Sequence, residues 1–353
     1  MDTEQSYLDG IRIAQGSERC AEAFREAFEK NGFSATALIN DRRFSFPCLF
    51  VLAPQIKELR LYPRLNSRNL TALKIMGQFL ERWKTGSEDY LSVKRNRVYT
   101  VLKWMLETGY QEDGMNEDYE QIMESAAAVL LNIYKDDSIL PIIIDMIFKR
   151  GIKGHYIHDL VWSVFKLEDP RVLKLIAQRL RSPEDREAEL ARYLLNLDID
   201  FDMTVSKTMG MREEPFETGI IAVTAGEMHT DVNDKERQYD SYIKWLEEND
   251  PFLYFTEDSF QYASKPVFSA IDYERKYLHK KNGTYVKQPI LPSDSTENAA
   301  LSAFRPLSER EKSLLSEYSF RKYARDPAQW EQWIRTPIAE QLMDARNDPG
   351  DTI

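Results

Sequence analysis

Apolar side chains recur at helical spacing along most of this 353-residue chain, and polar stop signals separate the runs. In SERCAEAFREAFEKN (17–31), Cys20, Ala23, Phe24 and Phe28 fall on one stripe and Gly32 ends it, which predicts an amphipathic helix. FSFPCLFVLAP (44–54) is short, aromatic and bounded by proline. It reads as a strand or a buried extended segment, and periodicity does not choose between them. Residues 69–85 and 89–108 predict two helices joined at Thr85-Gly86-Ser87, with a polar loop over 109–114. Asn116 is placed to cap a helix that carries Glu117, Asp118 and Glu120 in its first turn and runs to Tyr134. Asp136-Asp137-Ser138 turns the chain into LPIIIDMIFKR (140–150), a second helix ending at Gly151. A further pair opens near His155, turns at Glu168-Asp169-Pro170-Arg171 and continues as VLKLIAQRL (172–180). A third begins with Ser182 as N-cap, Pro183 at the first helical position and acids in the first turn.

These middle units superpose under a shift of 33 residues. Ala128, Val161 and Leu194 align, as do Leu131, Val164 and Leu197. Asp136 aligns with Asp169, and Ile143 and Ile147 with Ile176 and Leu180. A helix pair cannot bury its apolar face alone, so pairs of near-constant length stack into an array. The segments KDDSILPIIIDMI, LEDPRVLKLIAQRL and SPEDREAELARYLLNL carry the pattern. Over about residues 117–198 the chain resembles bacterial HEAT-like helical repeats. The resemblance implies stacked helix pairs with one layer lining a concave binding face, and it brings no catalytic residue with it.

The later chain changes character. VSKTMGMREEPFETGIIAVTAGEMHTD (205–231) is a β-branched run broken by glycines, with no helical stripe. ERQYDSYIKWLEEN (236–249) predicts one helix, stopped by Asp250-Pro251. Trp245, Phe252, Tyr254, Phe255, Phe260 and Tyr262 follow one another closely and read as a small satellite core rather than a base-stacking platform. Residues 282–307 read as a long loop. Ser308 with Glu311 forms a capping box, and Asp326-Pro327 opens a helix at WEQWIRTP. The expected fold is mainly α: a right-handed α-solenoid of HEAT-like helix pairs with a mixed, aromatic-rich C-terminal region. Its parts are an N-terminal helix plus extended segment (1–64), the helical repeats (65–200), an irregular α+β region (201–307), C-terminal helices (308–346) and a polar tail (347–353).

Composition narrows the function. Forty-two per cent hydrophobic residues and 30% charged ones suit a soluble globular chain. No run approaches the roughly 20 apolar residues of a membrane helix, and the start MDTEQSYLDG has neither the basic nor the apolar part of a signal peptide. Cys20 and Cys48 are the only cysteines, so a disulfide framework is out and a cytoplasmic home is expected. They read as two buried thiols, with a single bridge left open. The net charge is −11. Residues 1–110 hold 17 basic and 13 acidic side chains, residues 111–200 hold 11 and 18, and residues 201–353 hold 19 and 27. An acidic bulk repels nucleic acid and favours a cationic partner.

Several chemical signals were weighed. His155, His158 and Asp159 in GHYIHD have metal-ligand types at short spacing, yet His229 and His279 are the only other histidines, so a helix-end cap is the simpler reading. Asp145 inside IIIDMIF could be a buried acid of raised pKa, but its repeat equivalent Gln178 marks the position as polar and outward. Trp162 aligns with Val129 and Leu195 and reads as core. Arg60, Arg64, Arg68, Lys94, Arg95, Arg97 and Lys103 form a basic run that reads as a solvated face. GxGxxG, GxxxxGK, HExxH, CxxC and GxSxG are all absent, and no motif calls for a cofactor. The expectation is a non-enzymatic protein-binding repeat protein, such as an immunity-type or scaffold protein for a cationic partner. Asp145, Lys149, Gln178 and Arg181 of the second-helix layer would make the contact. The alternative is a HEAT-like nucleic-acid enzyme of the alkylpurine DNA glycosylase type.

Overall fold

Helices begin where the sequence supplies caps. The computed structural model describes residues 5–85, 96–197, 232–257 and 268–348, and these are mainly helical. They divide into two compact units, one formed by Met1–Arg150 with Asp159–Val164 and the other by Gly151–His158 with Phe165–Ile353. The expected repeat block, 65–200, is therefore shared between two units.

The first unit opens with α1 (Tyr7–Gln15), which hydrophobic spacing did not predict. The reason is that charged residues occupy its inner face. Asp9 and Arg12 are buried beside Leu8. Asp9 accepts hydrogen bonds from Ser6 Oγ at 2.5 Å, from Ser45 N at 3.0 Å and from the Ser45 hydroxyl. Arg12 pairs with Glu112 at 2.6 Å. A buried charge is tolerable when it is satisfied in this way. Next, α2 (Ser17–Asn31) buries Cys20, Ala23 and Phe24, the stripe read from the sequence.

A short helix, α3 (Thr36–Ile39), leads to the main departure. The segment expected to be a strand or extended is a helix, α4 (Phe46–Glu58). Pro47 sits in its first turn, where a missing N–H is harmless. Phe46, Leu49, Leu52 and Ile56 are buried, and their 3–3–4 spacing is helical. Neighbours Pro47 and Cys48 are buried too, so the apolar run hides that spacing. Two longer helices follow, α5 (Ser67–Thr85) and α6 (Asn96–Gly109). Asn116 caps α7 (Glu117–Asn132) through the Tyr119 amide, as its position predicts. The Tyr119 ring stacks on Phe46 at 5.7 Å and its hydroxyl donates to Gly109 O at 2.9 Å. The turn before α8 (Leu140–Gly151) is capped by Asp136. The next helix, α9 (His158–Phe165), belongs to the first unit over Asp159–Val164.

The second unit contains α10 (Pro170–Ala177), a 3-10 turn over Gln178–Arg181, and α11 (Asp185–Leu194). The helix expected with Ser182 as its cap and Pro183 as its first residue starts two residues later, at Asp185, with Glu184 at the cap. After α12 (Val232–Asn249), two short antiparallel strands, β1 (Leu253–Phe255) and β2 (Ser269–Ile271), pair with Leu253 opposite Ile271. A one-turn helix, α13 (Tyr273–Tyr277), follows. The expected loop 282–307 contains α14 (Ser295–Phe304), capped by Asp294. Then come α15 (Glu309–Arg325), with the predicted Ser308–Glu311 capping box, α16 (Pro327–Trp333), capped by Asp326, and α17 (Ile338–Asn347). Their core gathers Tyr277, Leu301, Phe304, Leu315, Trp333 and Leu342. Tyr277 stacks on Phe304 at 4.4 Å and donates its hydroxyl to Gln341 at 2.7 Å.

Two turns that lie 33 residues apart are alike. Asp136 accepts from the amide of Ser138 and Asp169 from that of Arg171, at 3.1 and 2.9 Å. Each is preceded by a non-glycine residue of positive φ: Lys135 at 56° and Glu168 at 53°. Ile143, Ile147, Ile176 and Leu180 are buried, and so are Val161 and Leu194.

Candidate functional site

An open cleft of about 600 Å³ in the second unit is lined by Gln178, Arg179, Arg181, Ser182, Pro183, Glu184 and Glu187. Two of these, Gln178 and Arg181, belong to the second-helix layer read as outward from the sequence, and Gln178 is the repeat equivalent of Asp145. The local sequence explains the shape. After Ala177 the helix tightens into a 3-10 turn. Leu180 is fully buried and anchors that turn, leaving Gln178 and Arg181 exposed. Ser182 precedes a proline and is extended (φ −58°, ψ 139°), as a pre-proline residue prefers.

The cleft walls hold one another in place. Ser182 Oγ donates to Glu187 Oε2 at 2.7 Å and accepts from the Glu184 amide at 3.2 Å. Arg179 lies 3.5 Å from Glu187. The buried ammonium of Lys235 on α12 donates to Ser182 O at 2.9 Å and to Asp185 at 2.5 Å, fastening the turn from behind. The Arg181 guanidinium lies 4.2 Å over the Tyr239 ring and 3.4 Å from Glu236. Both guanidinium groups and both carboxylates border the same opening. Such a surface can take a polar chain by hydrogen bonds and ion pairs. Among the described residues of the lining there is no histidine or cysteine, and the one hydroxyl, that of Ser182, donates to Glu187.

The other two second-helix residues lie on α8. Asp145 is half-buried and has interactions of its own. Lys149 is half-buried too, and its ammonium donates to the carbonyls of Gln111 at 2.5 Å and Glu112 at 2.9 Å. Repeat alignment identified a polar position but not that the 110–116 loop of the first unit would occupy it.

His155 and Asp159 are exposed, whereas His158 is buried with its ring 5.8 Å from that of Tyr156. Among the described residues, no group of three or more His, Cys, Asp or Glu side chains is placed to hold a metal ion. Trp162 is half-buried. Lys94, Arg95, Phe260 and Tyr262 lie outside the described residues, as does the glycine-broken segment 205–231. The rest of the basic run is largely occupied by its own unit. Lys103 reaches Asp136 at 3.3 Å, and this hydrogen bond holds its pKa above the usual lysine value. The Asp136 carboxyl is pushed up by burial, but hydrogen bonds from Ser138, Tyr99 and Lys103 outweigh this and hold it below the ordinary carboxylate range. Arg64 lies 5.0 Å over Phe33, and Arg68 lies 4.3 Å over Trp104 while donating to the carbonyls of Asp41 and Arg42. Phe252 and Phe255 are core residues, and Trp245 stacks on Tyr242 at 5.5 Å.

Sequence reading missed Arg179, Glu184 and Glu187 as neighbours of Gln178. Part of the signal is present: Glu184 is one of the acids in the first turn expected after Ser182. The part played by Lys235 and Tyr239 left no sequence signal, because these residues are distant in the chain, Lys235 lying 53 residues from the Ser182 carbonyl it binds. Compared with protein-family models, curated proteins and solved structures, the chain matches none of them.

Proposed function

We propose that this chain is a non-enzymatic protein-binding module built from HEAT-like helix pairs, and that it grips a cationic protein partner at the Gln178–Glu187 cleft. The reading is carried by one observation: Gln178 and Arg181, both expected to face outward on the second-helix layer, line the same open polar cleft. The net charge of −11 supports attraction of a cationic partner, mainly through a faster association rate. Glu184 and Glu187 offer carboxylates to that partner, and Arg181, braced on Tyr239, offers a donor fork of low mobility. An immunity-type or scaffold role falls within this reading. Asp145 and Lys149 are left out of the contact surface, since Lys149 is spent on the Gln111 and Glu112 carbonyls.

The test has two steps. Cross-linking and mass spectrometry in the native host identify the partner, and calorimetry then compares wild type with Gln178→Lys/Arg181→Glu. A weakening of at least about tenfold is expected, a typical loss at an interface hot spot, together with an association rate that falls as salt rises. An unchanged affinity rejects the cleft. Tight duplex DNA binding at low ionic strength, lost with salt, supports the nucleic-acid alternative instead.

A further inference from the structure

Cys20 on α2 and Cys48 on α4 are both fully buried free thiols, and their sulfurs lie 3.4 Å apart. A disulfide needs about 2.05 Å between sulfurs, so roughly 1.4 Å of closure joins them. The two cysteines are 28 residues apart in sequence, and the helices that carry them pack against each other. Their surroundings are polar for a core. Cys20 Sγ also lies 3.5 Å from Leu8 O on α1. Asp9 and Arg12, on the inner face of that same helix, act electrostatically on both sulfurs.

We infer that Cys20 and Cys48 form a redox-convertible pair, which a hydroperoxide oxidises to an intramolecular disulfide that clamps α2 onto α4. Cys20 is the attacking sulfur, because it lies under α1, the helix whose opening admits the peroxide; the thiol–thiol hydrogen bond favours the thiolate of whichever sulfur accepts it. The Cys20 thiolate attacks one peroxide oxygen and the O–O bond breaks. This leaves a sulfenic acid and releases water (alcohol, for an alkyl hydroperoxide) once the leaving oxygen takes up a proton. Cys48 sulfur then attacks the sulfenic sulfur. The S–OH bond breaks, the Cys48 proton leaves with the hydroxide as water, and the S–S bond forms. Two electrons pass from the thiols to the peroxide. Access comes through transient opening of α1, the nine-residue helix whose Leu8 carbonyl lies 3.5 Å from Cys20 Sγ.

The test uses the full chain. Wild-type protein is treated with hydrogen peroxide at neutral pH, alkylated, digested without reduction and analysed by mass spectrometry, and its melting temperature is compared before and after. The expected result is a linked Cys20–Cys48 peptide, a melting temperature raised by about 5–10 °C, and reversal of both by dithiothreitol. In Cys48→Ser, or in Cys48→Ala if the serine variant does not fold, Cys20 is expected to stop at a sulfenic acid trapped by dimedone. Persistence of two alkylatable thiols in the treated wild type overturns the inference. So do separate sulfinic acids, intermolecular dimers, a bridge formed only after denaturation, or a bridge that leaves the melting temperature unchanged.

Discussion

Gly109 has no room for a methyl group. A Cβ there would lie 2.5 Å from the Tyr119 hydroxyl, the group that donates to the Gly109 carbonyl. Gly109→Ala is expected to cost about 1–3 kcal/mol, the usual cost of overpacking, read as a lower urea midpoint; a wild-type midpoint contradicts the close approach. From sequence, Gly109 reads as the start of a polar loop, because the demand on it comes from a ring ten residues away. His279 poses a second residue-scale question. Its ring stacks on Tyr323 at 4.1 Å, meets Trp330 edge-on at 5.2 Å, and donates from Nε2 to Ser319 O at 2.9 Å. Burial holds its pKa below the ordinary 6.5, with the charge of Lys276 acting in the same direction. The unfolded chain therefore takes up the proton first. The stability tied to neutral His279 is present above pH 6.5 and is lost as the pH falls through that value towards the lower folded pKa. Melting temperatures from pH 7.5 to 5 should fall less steeply for His279→Gln than for wild type, and parallel curves refute this.

At the scale of elements, caps were the most legible signals. Asn116, Ser308 and Asp326 each cap the helix that the sequence assigned to them, because a cap needs only its own neighbours. Asp136 and Asp169 go further, since they cap equivalent turns 33 residues apart, each after a residue of positive φ. Asp169→Ala is expected to cost about 1 kcal/mol, the worth of one cap. Asp136→Ala should cost more, because Asp136 also binds Tyr99 at 2.8 Å and Lys103. Denaturant titration of both variants checks the order, and a larger loss at Asp169 contradicts it. The misread elements fail for identifiable reasons. In α4, buried Pro47 and Cys48 blur a 3–3–4 stripe into a continuous apolar run. In α1, the buried face includes Asp9 and Arg12, so a hydrophobic pattern cannot show it. In α14, three prolines in the surrounding segment masked a helix that begins at the Asp294 cap.

For the molecule as a whole, the observation to test is the division into two compact units, each burying its own side chains. Compact units with separate cores are candidates to unfold as separate cooperative blocks. Calorimetry should therefore show a calorimetric enthalpy larger than the van't Hoff value, with two resolvable transitions; equality of the two enthalpies contradicts independent units. Among the described residues no helix is long and apolar enough to cross a membrane. The charge excess is also a whole-molecule property, and it bears on how a partner arrives rather than on the fold.

The sequence by itself determined what depends on near neighbours: helix caps, the stripe of α2, the turn at Asp136 and its echo at Asp169, and the acidic balance. It also marked Gln178 and Arg181 as outward polar positions, since their repeat neighbours are the buried ones. Tertiary structure alone decided which polar residues stay available. It tied Lys149 to the carbonyls of Gln111 and Glu112, and it half-buried Asp145. It also set Lys235 behind the Ser182 turn and brought two thiols to 3.4 Å. Those outcomes depend on groups distant in the chain meeting once apolar faces are buried, and spacing along one strand of sequence does not encode the partner that arrives.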